Sequence, residues 1–429
     1  MNFAEQRLLR TNGEWNRQRI KHHIKGFFGG GTPSTENREF WTNGTIPWVS
    51  SKDMKVSRLR ETQDYITAAA VAGSATNLVE PRSVLMVVRS GILKHSIPVA
   101  INDVEVALNQ DIKAVVLRDT LDAEFFLYWV TGQQRDLLLE WGQLGATVDS
   151  LNIEILRNTV IPLPSFGSQR KIVSFLDRET GLIDGLIEKK TRFIALLKEK
   201  RAAVITHAVT KGIDPDAPMK DSGVDWLGRV PAHWDVVPPT SLFTESKERA
   251  REGDQMLSAT QKYGVIPLAE YEALEQRQVT MAVVNLNMRK HVEVGDFVIS
   301  MRSMDGGLER ARAVGSVRSS YSVLKPGPDV EGRFYGALMK SSLYIQALRL
   351  TSNFIRDGQD LNFGHVRKVK LPKPDLREQA AIAGHIEAET ARIDGLISLT
   401  ERSIDLLREK RASLITAAVT GKIDVRAAA

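Results

Sequence analysis

An α/β (α+β) fold, with two divergent mixed domains joined by two long helices that pair as an antiparallel coiled coil in a pseudo-twofold tandem duplication, follows from three observations in this 429-residue sequence. Residues 169–214 and 379–424 are two gap-free copies of one segment at a constant offset of 210, with roughly half the paired positions identical. Each copy carries an apolar seam at coiled-coil spacing. The stretches preceding the copies barely align, yet both hold short runs of strand-forming residues.

The duplication is clearest where Ile183-Asp184-Gly185-Leu186-Ile187 returns as Ile393-Asp394-Gly395-Leu396-Ile397. Glu199-Lys200-Arg201-Ala202 likewise returns as Glu409-Lys410-Arg411-Ala412, and Ala208-Val209-Thr210 as Ala418-Val419-Thr420. Upstream, Pro162 and Pro164 match Pro372 and Pro374, and Leu151-Asn152 match Leu361-Asn362. With a drifting offset, Val79-Glu80 followed by Arg89-Ser90 echoes Val292-Glu293 followed by Arg302-Ser303. An offset near half the chain is a duplication of a long unit, unlike a solenoid with its period of about 20–50 residues. The expected organisation is a first domain at 1–160, a central helix at 161–214, a second domain at 215–370 and a C-terminal helix at 371–429. Similar connectors between dissimilar domains imply one frame presenting two specificities.

The copies are helical by pattern. In the first, Leu176, Ile183, Lys190, Leu197 and Val204 recur every seventh residue, and Thr180, Ile187, Ile194, Arg201 and Ala208 follow four later. The second repeats this with Ile386, Ile393, Thr400, Leu407 and Leu414, and with Thr390, Ile397, Ile404, Arg411 and Ala418. Helices of about 40 residues would span about 60 Å. Pro164 and Pro374 precede them, and Gly212 and Gly421 stand near their ends, where start and stop signals belong. One such stripe alone would suit an ordinary core helix, but two in one chain supply each other's mate. Lys190 and Arg201 interrupt the seam, so they fix register or meet another protein. Antiparallel pairing is preferred, because it sets the two domains at opposite ends with approximate twofold symmetry.

The domains read as mixed α/β with much irregular loop. Strand-like runs are Ser83–Val88, Lys113–Leu117 and Asp296–Met301, and helix-like stretches run from Ala123 to Glu140 and from Gly332 to Leu350. The loop Gly29-Gly30-Gly31-Thr32-Pro33-Ser34 lacks the lysine of a nucleotide-binding loop, which argues against a phosphate cradle.

Composition bounds the chemistry. The chain is 42% hydrophobic and 26% charged, with no apolar run long enough to span a membrane and no signal-peptide core at its start, so a cytoplasmic, membrane-free protein is expected. Zero cysteines rule out disulfides and thiolate metal sites. A net charge of +6 suits a polyanion partner without requiring one. No methyltransferase Asn/Asp-Pro-Pro-Tyr tetrapeptide, zinc His-Glu-x-x-His, serine-hydrolase Gly-x-Ser-x-Gly or Walker loop occurs, and the only histidine pair, His22-His23, would not converge on one metal. A non-catalytic chain, with no catalytic residue, metal site or cofactor of its own, is the reading.

The order of these features resembles the DNA-specificity (S) subunit of type I restriction-modification systems. The matching residues are Gly30-Gly31-Thr32-Pro33-Ser34, Phe40-Trp41, Ile46-Pro47-Trp48-Val49, then Leu163-Pro164 with Gln169. In the second half they are Asp225-Trp226-Leu227-Gly228, Pro231, His233-Trp234, and Pro372 with Glu378-Gln379-Ala380-Ala381-Ile382. Gly167-Ser168-Gln169 departs from the family, which usually places an acidic residue before the glutamine. The resemblance spans essentially the whole chain. It implies two target-recognition domains, each reading half of a split sequence in double-stranded DNA, and helices that act as spacer and dock two methyltransferase subunits. Restriction (endonuclease/translocase) subunits would join them; S-adenosylmethionine, ATP and Mg would belong to those partners.

Basic side chains near glycine and serine turns are the DNA-binding candidates: Lys52, Arg58, Arg60, Arg89 and Lys94 in the first domain, and Lys262, Arg289, Lys290, Arg302, Arg310, Arg312 and Arg318 in the second. Arginine can read guanine through two hydrogen bonds, whereas lysine chiefly neutralises phosphate; the bland alternative for each is a solvated charge. Arg89 and Arg302 rank first, since both follow a strand-like run. Lys198, Arg201 and Arg408 are the partner-docking candidates. The rival reading is a coiled-coil protein scaffold without DNA specificity.

Overall fold

The structure, a computed structural model, describes residues 15–143, 148–278, 288–300, 303–351, 361–423 and 425. The chain separates into two compact units, Met1–Lys190 with Arg402–Ala429, and Thr191–Glu401. Both boundaries fall inside the long helices, so each unit holds one domain and a part of each helix.

The long helices are Phe166–Lys211, of 46 residues, and Leu376–Val419, of 44. Ser165 and Asp375 start them: the amide of Ser168 donates to Ser165 Oγ, and that of Glu378 donates to Asp375 Oδ1, supplying partners for amides that the first turn leaves unpaired. Gly212 (φ +79°) and Gly421 (φ +70°) stop them in the left-handed conformation that glycine tolerates. At the second end, Gly421 N–H donates to Ala418 O and Lys422 N–H to Ala417 O, which closes the helix by a Schellman pattern.

All the seam positions named above are buried or half-buried in both helices, while neighbours one residue away, such as Leu182 and Leu406, are exposed. The two copies also share a reciprocal lock. In the first unit Arg411 donates to Asp184, with Nε 2.9 Å from Oδ1 and Nη2 3.1 Å from Oδ2. In the second, Arg201 lies 3.0 Å from Asp394. Asp184 and Asp394, like Arg201 and Arg411, occupy equivalent places in the two copies, so each pair is the counterpart of the other. In both units the earlier part of one helix meets the later part of the other, which is antiparallel pairing. Arg201 therefore fixes register within the chain.

The first domain opens and closes on an antiparallel ribbon, Asn16–Arg19 against Val160–Leu163, in which Arg17 faces Pro162. In the second, after the strand pair Met219–Asp221 and Arg229–Pro231, Asp235–Val237 pairs likewise with Leu371–Lys373, where Val236 faces Pro372. Each ribbon ends just before a long helix. Between these ends, both domains carry the same three antiparallel strands in the same order: Ile24–Gly29, Ile112–Leu117 and Val84–Val87 in the first, and Phe243–Ser246, Ser322–Pro326 and Phe297–Ile299 in the second. The first sheet continues through Val99–Asn102 and Arg58–Leu59, the second through Glu309–Arg310. A further four-stranded sheet occurs in the first domain, ordered Asp64–Ile66, Ile46–Val49, Val106–Leu108, Leu78–Val79.

Aromatic side chains fill the cores, with Phe125, Phe126, Trp129 and Trp141 fully buried in the first unit and Trp234, Phe334, Tyr335 and Tyr344 in the second. Each such burial stabilises by about 1.5–3 kcal/mol. The two helix-like stretches are each broken. Ala123–Gly132 ends where Gly132 abuts the C-terminal helix, its carbonyl accepting from Thr416 Oγ1 at 2.8 Å, and a second helix follows over Gln134–Trp141. Gly332–Leu338 and Ser342–Thr351 are likewise separate, with Ser341 Oγ donating to Leu338 O at the break. The glycine loop is a packing device: a Cβ at Gly30 would stand 1.8 Å from the carbonyl oxygen of Leu108. The third strand-like run contracts to Phe297–Ile299, and its end at Met301 lies outside the described residues.

Candidate nucleic-acid interface

Of the candidates in the first domain, Arg58 and Arg60 are already engaged. Arg58 lies 2.9 Å from Asp103 and 2.8 Å from Glu124, and Arg60 lies 2.8 Å from Asp103. Desolvation opposes the charge on Arg58, but bonds from Glu124 and Asp103 outweigh it and raise its pKa; Asp103 is held low, first by the Arg60 bond. Arg82, at φ +67°, adds a third cation 3.2 Å from Glu124. These charges hold loops together within the domain.

Lys52, Arg89 and Lys94 differ. Their side chains are exposed and make no hydrogen bond or ion pair among the described residues. Lys52 lines a cleft of about 640 Å³ together with Ser51, Lys55, Ser57, Ser90 and Ser96. Arg89 and Lys94 flank the Ser90–Ile92 part of that wall in sequence, and a backbone bridge from Arg89 to Ser150 fixes the turn. Hydroxyls and unpaired lysines around a concave surface are the chemistry that phosphate oxygens accept. Lys55 belongs to this group and was not among the candidates, although it shares the loop of Lys52.

In the second domain, Arg289, Lys290 and Arg318 gather on one ribbon, Lys290–Val292 against Gly315–Val317. Arg289 donates to Ser316 through Nε (3.0 Å to Oγ) and Nη2 (2.6 Å to O), and Lys290 donates to the Tyr321 carbonyl at 2.6 Å. Burial, and then the charge of Arg318, lower the pKa of Arg289. Arg310, Arg312 and Arg318 are exposed and have no side-chain partner among the described residues. Arg312 approaches Gly264, at the turn beside Lys262; Lys262 stacks 4.7 Å above the Tyr263 ring and lies 3.6 Å from Glu275. Arg302 lies outside the described residues.

Comparison with known proteins shows what parts of the chain resemble. Residues 13–192 match the Type I restriction modification DNA specificity domain. The specificity subunit of the type I restriction enzyme EcoR124I/EcoR124II from Escherichia coli is 36% identical over 177 residues, 41% of this chain and 44% of that relative, so the match spans under half of its length. A structure described under complex assembly and conformational transition of the type I R-M system covers 96% of this chain and 99% of its own, with a TM-score of 0.67 at 15% identity. The HsdS subunit from Thermoanaerobacter tengcongensis covers 96% and 98%, with a TM-score of 0.54 at 14% identity. At those identities the two structures speak for the fold. Over residues 13–192 the chain is thus similar to the specificity domain of type I restriction-modification systems, and over nearly its whole length it shares the fold of these two structures.

Among the docking candidates, Lys198 is exposed and unpartnered among the described residues, Arg201 is held by Asp394, and Arg408 pairs within its own helix with Asp405 at 3.0 Å. Only Lys198 of the three thus presents an uncommitted charge. Among the described residues no group of three or more His, Asp or Glu side chains could hold a metal ion, and no helix is long and apolar enough to cross a membrane.

Proposed function

We propose that this chain is the sequence-specificity subunit of a type I restriction-modification complex, in which each domain reads one half of a bipartite duplex target. The observation that carries this reading is the pairing of like with unlike. The helices and their Asp–Arg locks repeat, and the three-stranded cores share one order, whereas the unpaired basic residues stand on different elements in the two domains. A duplicated frame with exchanged surfaces suits two different half-sites. Lys52, Arg89 and Lys94 would serve the first, and Arg310, Arg312 and Arg318 the second, with Arg289, Lys290 and Lys262 supporting the surface.

The helices carry the spacing between half-sites and offer the surface for two methyltransferase subunits, and restriction subunits complete the assembly. Methyl transfer, with S-adenosylmethionine, and ATP- and Mg-dependent cleavage belong to those partners; this chain positions without reacting, in the cytoplasm. A titration of purified chain with its methyltransferase partners against target and random duplexes tests the proposal. Specific binding should exceed random binding by at least about a thousandfold and weaken steeply with salt. Equal affinity for both duplexes would favour the scaffold reading.

A further inference from the structure

Gln169 and Gln379 are both 0% exposed, a rare place for a polar amide, and both are fully bonded in the same way. Gln169 Oε1 accepts from the Asp122 backbone N–H at 2.8 Å, and its Nε2 donates to the carbonyls of Pro164 at 3.0 Å and Thr120 at 3.2 Å. Gln379 Oε1 accepts from the Glu331 N–H at 2.8 Å, and its Nε2 donates to Pro374 O at 2.8 Å and Asp329 O at 3.1 Å. Asp122 and Glu331 are themselves the capping residues of the helices Ala123–Gly132 and Gly332–Leu338. Each glutamine thus ties the first turn of a long helix to the start of a helix in its domain.

All six bonds go to backbone atoms. Thr120 is replaced by Asp329 and Asp122 by Glu331, at an offset that has slipped by one residue, and the geometry survives because no partner side chain takes part. We infer that Gln169 and Gln379 are positioning residues for specificity: a sequence-blind latch that indexes each recognition domain on its helix, and so fixes the single gap between half-sites that the protein accepts. The inference rests on the bipartite reading proposed above. It also explains how the domains diverge freely: any domain that offers one amide and one carbonyl at its capping turn fits the latch.

Gln169→Met and Gln379→Met keep the side-chain length and packing but remove all three bonds. In the full chain with its methyltransferase partners, mapping of modified bases across a genome should show the half-site sequences unchanged and the gap relaxed, with about a tenth or more of modified sites shifted by one base pair. Modification that falls while one gap is kept would mean that the glutamines are merely structural, and would overturn the inference. Amide exchange gives a readout independent of DNA: Asp122 N–H in the first variant and Glu331 N–H in the second should exchange about five- to tenfold faster. Unchanged exchange in a folded variant would also overturn it. Gln169→Leu and Gln379→Leu, which also remove all three bonds, replace the Met variants if those do not fold. A wild-type map without a bipartite target would sink the functional reading alone, leaving the exchange experiment to decide the latch.

Discussion

In the first domain the cations nearest the sheet edge, Arg58 and Arg60, are held by Asp103 and Glu124, whereas in the second Arg310, Arg312 and Arg318 form no ion pair or hydrogen bond with an acidic side chain among the described residues. Residues of one type, chosen by one criterion, therefore divide into two physical classes. A guanidinium already neutralised by two carboxylates has little free charge to offer a phosphate, and breaking its pairs would cost what the new contact supplies. An unpaired arginine or lysine on an exposed turn releases counterions on binding DNA without that loss. Under the proposed function, DNA contact in the first domain would fall to Lys52, Lys55, Arg89 and Lys94, around the cleft that Lys52 and Lys55 line.

Reversing both Arg312 and Arg318 to Glu should weaken DNA binding by about a hundredfold and reduce the salt slope by about two. Binding isotherms at several salt concentrations measure it, and a change below threefold would remove these residues from the interface. Alanine at Lys52, Arg89 and Lys94 together should cost about tenfold or more in affinity, read in the same titration; loss confined to Arg58→Ala would reverse the assignment. Arg58→Ala itself should leave affinity within about twofold and lower stability by less than about 1 kcal/mol, because its side chain is 44% exposed and its charge screened. Denaturant unfolding checks that value.

A smaller effect concerns pH in the second domain. The His291 ring is 1% exposed and bonded on both nitrogens, to Asp254 at 2.9 Å and Glu293 at 2.8 Å. Desolvation favours the neutral ring, but the Asp254 and Glu293 bonds prevail over it and over nearby Arg251, and the pKa is raised. Since the folded value lies above the unfolded one of about 6.5, the stabilising contribution is complete below that pH and is lost as pH rises through the folded value. The Tm difference between wild type and His291→Gln should therefore shrink as the pH rises above about 6.5. A constant difference would show that the ring acts by packing alone.

The helices were legible because their signal is local: the seven-residue recurrence through Leu176, Ile183 and Leu197 needs no knowledge of the partner. Arg201 stood out as a break in that seam, yet its partner Asp394 could not be named from the pattern. Pairing of strands was not legible, since Ile24–Gly29 meets Ile112–Leu117 across a long stretch of chain and nothing in either run specifies the other. The division among the arginines was hidden for the same reason: Glu124 lies 66 residues from Arg58, and Asp103 lies 43 from Arg60. Gln169 entered the reading as a motif residue, but bonds to backbone atoms leave no trace in the partner's sequence. The break in the first helix-like stretch falls at Gly132, whose close approach to the C-terminal helix is a tertiary fact.

The central claim is that two domains on one duplicated frame read two half-sites independently. Its most direct test replaces residues 1–160 by the corresponding domain of a related chain and maps methylated bases across a genome by single-molecule sequencing. A new sequence in one half of the target is expected, with the other half and the gap retained. A target changed in both halves would contradict it.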